Sequence, residues 1–148
     1  MYSRNISLGR WVLAGLAAML VCGLAGCGEG GPVTHSVTGK VVFKDGNIDQ
    51  LVGGRVEFQP LDNPDVLASA DIQEDGSFSP VTLKDGKETP GLLPGTHRVC
   101  VFPPDEDEDE PLIIDRRFQD FTRSGLQCTV TDDGEITIEV TRPQRRRR

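Results

Sequence analysis

Leu126-Gln127-Cys128-Thr129-Val130-Thr131-Asp132-Asp133-Gly134-Glu135-Ile136-Thr137-Ile138-Glu139-Val140 is the stretch on which the reading of the fold turns. Leu126, Cys128 and Val130 alternate with Gln127 and Thr129, and Ile136, Ile138 and Val140 alternate with Thr137 and Glu139. A period of two belongs to a strand with one buried face, because successive side chains point to opposite sides of the backbone. Asp132-Asp133-Gly134 supplies a turn between the two runs, and the spacing predicts a hairpin.

The same period recurs upstream. Val37, Gly39, Val41 and Phe43 share one face against Thr38 and Lys40, with Asp45-Gly46 turning the chain afterwards. Val56 and Phe58 alternate with Arg55, Glu57 and Gln59, and Pro60 removes a ladder donor where that strand should stop. Ala68, Ala70 and Ile72 alternate with Ser69, Asp71 and Gln73, and Glu74-Asp75-Gly76-Ser77 predicts a further strand pair leading into Phe78. After a Gly- and Pro-rich stretch, Thr96 to Phe102 reads as a strand ended by Pro103-Pro104.

No segment downstream of residue 36 sustains a 3.6-residue apolar period, so helix should be nearly absent there. About seven short strands of this spacing suit an all-β fold, a small immunoglobulin-like or prealbumin-like β-sandwich of two packed sheets. A closed small barrel is the alternative. The sandwich should span residues 37–142, preceded by a Gly-rich flexible tether at 27–36 and followed by a basic tail at 143–148.

The N-terminus has a different character. Arg4 and Arg10 precede an uncharged apolar or small-residue run from Trp11 to Ala25, the pattern of a secretory signal peptide with its helical apolar segment. The run falls short of the roughly 20 residues that span a hydrocarbon core. It ends in Leu24-Ala25-Gly26-Cys27, which closely resembles the bacterial lipobox. The resemblance implies removal of residues 1–26, diacylglycerol on the Cys27 thiol and acylation of the new amine, so the membrane is a partner through the N-terminal lipid. Two or three acyl chains, at about 0.8 kcal/mol per buried methylene, make a stable anchor. Gly28 after the cysteine lacks an inner-membrane retention signal, which favours the outer membrane within the cell envelope.

Charge and composition narrow the function. The whole chain carries a net charge of −7; without Arg4 and Arg10 it has 14 basic against 23 acidic residues, a net of −9. Such a balance argues against a nucleic-acid partner, which needs a basic face. The only Tyr, Tyr2, and the only Trp, Trp11, lie in the leader, leaving six phenylalanines as the large core side chains.

Catalytic patterns are missing: the sequence has no HExxH, GxSxG, Walker loop or CxxC, and its two histidines, His35 and His97, fall in the tether and on a strand. No catalytic residue, metal site or cofactor is expected. The acidic run Asp105 to Glu110 lacks the glycine turn and alternating spacing of a calcium loop and reads as solvated. Arg145 to Arg148 likewise read as a solvated terminus, the functional alternative being contact with anionic headgroups or with the acidic run of a neighbour. Cys100 and Cys128 remain as thiols in an oxidising compartment, where either a disulfide between them or two buried free thiols would fit the strand pattern.

Val37-Thr38-Gly39-Lys40-Val41, Asp45-Gly46, Gly53-Gly54-Arg55-Val56, Asp75-Gly76-Ser77-Phe78 and Leu93-Pro94-Gly95-Thr96-His97-Arg98-Val99 resemble, in order and spacing, the carboxypeptidase regulatory-like domain. With its lipobox, and with Ser124-Gly125-Leu126 before the final strands, the chain resembles the small exported lipoproteins of planctomycete bacteria. The pattern departs at His97, where an aromatic is usual. The resemblance implies a non-catalytic accessory sandwich, tethered by lipid, that contacts an envelope protein or surface polysaccharide. Carbohydrate binding is the competing function, weakened by the absence of Trp and Tyr after the leader, since sugar faces stack on such rings.

Overall fold

A computed structural model describes residues 32–104 and 111–144. The expected signal peptide with its helix and the expected lipobox Leu24, Ala25, Gly26 and Cys27 lie outside the described residues, as do the acidic run 105–110 and Arg145 to Arg148. The described part belongs to one compact unit, Gly31–Arg148.

Among the described residues there are nine strands: β1 (Val37–Phe43), β2 (Arg55–Pro60), β3 (Leu67–Asp71), β4 (Ser77–Phe78), β5 (Val81–Lys84), β6 (Lys87–Pro90), β7 (Gly95–Phe102), β8 (Leu126–Val130) and β9 (Gly134–Val140). Short 3-10 turns cover Ile48–Gln50 and Arg116–Gln119. The strands form two sheets, ordered β4-β1-β9 and β6-β5-β3-β2-β7-β8. The architecture is thus the expected all-β sandwich of two sheets, open rather than closed into a barrel. It has β5 and β6 in addition to the seven strands read from the sequence.

Between the sheets the alternation works as the residues dictate. Val37, Val41 and Phe43 of β1 and Ile138 and Val140 of β9 are buried against Val56, Phe58, Ala68, Ala70, Val99, Val101 and Val130 of the larger sheet. The rings of Phe58 and Phe78 meet across the layers, centroids 5.8 Å apart and tilted by 43°. Gly39 makes room for this contact: a Cβ there would lie 2.1 Å from the Phe78 ring, so only glycine lets that ring settle on β1. The connections contribute Leu51, Ile72, Leu92, Ile114 and Phe118 to the same core.

Two expected strand pairs are not made. The final hairpin is absent: β8 pairs antiparallel with β7, while β9 crosses to the other sheet and pairs parallel with β1 from Val37↔Gly134 to Phe43↔Val140. The turn at Asp75-Gly76 is likewise formed, with the Gln73 amide donating to the Ser77 carbonyl at 2.9 Å, yet β3 stays in the large sheet and β4 joins β1. In both places the chain reverses and changes layer, because the residues after the turn bury their apolar side against the opposite sheet.

The parallel β1–β9 pair gives the domain two distinct poles. At one, Thr34 Oγ1 donates to the Pro90 carbonyl, His35 and Leu92 exchange backbone hydrogen bonds, and the Ser36 amide donates to Asp133 at 2.7 Å. Residues 34–36, expected to belong to the flexible tether, are therefore fixed to the sandwich. At the far pole, about 23 Å away for a seven-residue strand, Arg142 closes the end of β9. Its amide donates to Asp45 at 2.8 Å, its guanidinium to Gln50 at 2.6 Å, and it lies over the Phe43 ring.

Candidate interaction surface

The register of β7 decides the fate of both thiols. His97, Val99 and Val101 face the core opposite Pro60, Phe58 and Val56, which places Cys100 on the outer face, opposite Glu57. Cys128 stands opposite His97 on β8 and so faces inward. The two cysteines are free and sit on opposite faces of one sheet, so the disulfide between Cys100 and Cys128 is not made. Strand pairing would have to shift by one residue to bring them to the same face.

Neither thiol is activated. Burial, reinforced by the charges of Glu57 and Asp120, pushes Cys100 up to about 12, and burial pushes Cys128 up to about 11, so both stay protonated and poorly nucleophilic at neutral pH. His97, only 1% exposed, has its Nδ1 3.2 Å from the Gly95 carbonyl oxygen, and its burial lowers the pKa below the ordinary histidine value. It is a neutral core residue. His35 places Nδ1 3.6 Å from an Asp133 carboxylate oxygen at the tether pole. Among the described residues, no three His, Cys, Asp or Glu side chains gather as a metal site.

The outer face of the six-stranded sheet is the more informative surface. A shallow cleft of about 360 Å³ lies over Gly54, Arg55, Glu57, Phe102 and Pro103, and a second of about 330 Å³ over Arg55, Ser69, Asp71, Val81, Leu83 and Glu88. Arg55 borders both and reaches Asp71 at 3.7 Å. Leu83 is 50% exposed beside Leu67, its partner in the β3–β5 register. A third cleft of about 310 Å³ runs along the open seam between the edge strands β8 and β9. These are broad, polar-rimmed depressions. They offer contact area rather than an enclosed reaction chamber.

The sequence marks Arg55 as part of Gly53-Gly54-Arg55-Val56 and as an outward strand position, neither of which singles it out as a surface centre. The clefts arise from strand order, which puts Asp71 and Phe102 on either side of Arg55 in the register.

No protein-family model matches the chain, and no curated protein matches it. Among solved structures, it is similar to a mutant of the pilus-presented adhesin Spy0125 (Cpa), at 19% identity and a TM-score of 0.29, covering 75% of this chain and 28% of that one. A second crystal form of the same adhesin gives 18% identity, a TM-score of 0.26 and the same coverage. The chain thus spans little more than a quarter of the adhesin's length.

Proposed function

We propose that the chain is an exported lipoprotein of the cell envelope, acylated at Cys27, whose sandwich is a non-catalytic interaction module. The observation that carries this reading is the two-pole layout. Thr34 to Ser36 are clamped at one end of the domain, seven residues from Cys27. The loops around residues 44–54, Pro103-Pro104 and Arg142 stand at the other. Seven extended residues reach at most about 25 Å. A lipid at Cys27 would hold the tether pole toward the bilayer and turn the far pole and the outer sheet face toward partners. The resemblance of most of residues 37–142 to the carboxypeptidase regulatory-like domain supports the same assignment. Among the described residues no helix is long and apolar enough to cross a membrane.

The layout also bears on the basic tail. Its root at Arg142 lies at the far pole, so Arg145 to Arg148 would have to double back along the domain to meet headgroups of the anchoring membrane. Placement in the outer membrane, and an envelope protein rather than a polysaccharide as partner, complete the proposal. The protein is favoured because the chain after the leader offers no Trp or Tyr for sugar stacking.

The test is the intact mass and N-terminal peptide of the chain recovered from membranes, beside a Cys27→Ala variant. The expected result is loss of residues 1–26 and acyl mass on Cys27 that the variant lacks. A cleaved but unacylated chain would make it a soluble exported domain, and an uncleaved chain would make the apolar run its anchor; either would overturn the lipoprotein assignment.

A further inference from the structure

The edges of the two sheets are protected unequally. β6, one edge of the large sheet, carries Lys87, Glu88 and Pro90, and β4, one edge of the small sheet, is two residues long. Charge, proline and shortness are the devices by which sheet edges avoid pairing with other chains. β9 carries Glu135 and Glu139. β8, Leu126–Val130, has none of these: it is uncharged, free of glycine and proline, and bonded to a neighbour only on its β7 side among the described residues. Leu126 and Cys128 on it, and Ile136 of β9, pack against the core while remaining only partly buried.

We propose that β8 pairs antiparallel with β8 of a second copy of this chain, about a two-fold axis at Cys128, so that the two six-stranded sheets become one. This deepens the interaction-module reading and does not depend on acylation. A closed two-fold pairing requires a self-complementary strand, and β8 is one. Leu126 faces Val130 of the second copy on the inner side, and Gln127 faces Thr129 on the outer. At the ends, exposed Arg123 approaches the exposed Asp132–Asp133 turn of the other chain, twice by symmetry. β9 fails the same test: pairing about its middle residue, Thr137, sets Glu135 directly against Glu139, and like charges in that position destabilise. A five-residue pairing buries little area, so it is expected to strengthen when copies share one membrane and their effective concentration rises.

Cys128 gives the readout. Opposed residues in an antiparallel pair have Cα atoms about 4.5 to 5.5 Å apart, within the range that a disulfide bridges. Membranes carrying the full chain are treated with diamide at mildly alkaline pH and for long enough that the small thiolate fraction of Cys128 reacts; diamide takes up the two electrons and two protons released as two Cys128 thiols join. The expected product is a covalent dimer that Cys128→Ser abolishes and Cys100→Ser leaves unchanged. Arg123→Glu should lower its yield several-fold, and Arg123→Glu with Asp132→Arg should restore it. A dimer surviving Cys128→Ser, or no dimer at all, overturns the pairing. Repeating the treatment on Cys27→Ala chains, purified and concentrated, separates the two proposals: dimer there supports β8 pairing whatever the state of Cys27.

Discussion

Two Asp-Gly turns that look alike in sequence do different things. At Asp85-Gly86 both residues have positive φ, +52° and +75°, the geometry of a two-residue hairpin whose twist matches its strands, and β5 and β6 pair directly across it. At Asp75-Gly76 only the glycine has positive φ, at +81°, and the chain reverses without pairing β3 to β4. Instead, the Gly76 carbonyl accepts from the Val41 amide at 2.8 Å, and Phe78 drops onto Gly39 of the other sheet. Turn chemistry sets that a chain turns; what lies beyond the turn sets where it goes.

The largest blow to the second arrangement is Phe78→Ala. Its ring joins the layers through Phe58 and is 1% exposed, so its loss should cost about 4 kcal/mol, read as a lower urea midpoint. A cost below about 1 kcal/mol would mean that β4 is not held in the small sheet by that side chain.

The two glycines come next, as a matched pair. Gly86→Ala strains a left-handed residue with open space around it and should cost about 1 to 2 kcal/mol. Gly76→Ala adds to the same strain a Cβ 2.9 Å from the Val41 carbonyl oxygen, and should cost about 3 kcal/mol. Equal losses in the two would show that the layer-changing turn has no tighter fit than the hairpin.

The smallest effect is electrostatic. The Asp75 carboxylate accepts from Ser77, and these hydrogen bonds hold its pKa below the usual 3.8. Its contribution is thus present above that value and fades as the pH falls through the lowered one. Asp75→Asn should remove a small downward step in stability below about pH 4, followed by urea midpoints across the acid range. An unchanged slope would remove Asp75 from the account.

Where inward positions are apolar, the strands were legible: β1, β2 and β3 bury the residues that alternation assigned to the core, and β8 and β9 turn theirs inward, with Leu126, Cys128 and Ile136 half-buried. β5 and β6 escaped because their inward residues are Thr82 and Thr89, which leave no apolar period. Thr82 is held there by donating its hydroxyl hydrogen to the Gly91 carbonyl at 2.7 Å. His97 shows the same limit, a polar ring at an inward position of β7. The candidate surface was less legible still, since Arg55, Asp71 and Phe102 are far apart in sequence and meet only through the β3-β2-β7 order.

The sequence by itself determined the leader pattern, the strand faces and the places where the chain turns, because each depends on neighbours within a few residues and on which side of a strand avoids water. Only the tertiary structure decided which edges pair. Backbone amides and carbonyls bond equally well to any strand, so the choice fell to long-range packing. Phe78 fits over Gly39, and β9 lies along the whole of β1, though these partners are brought together from distant parts of the chain.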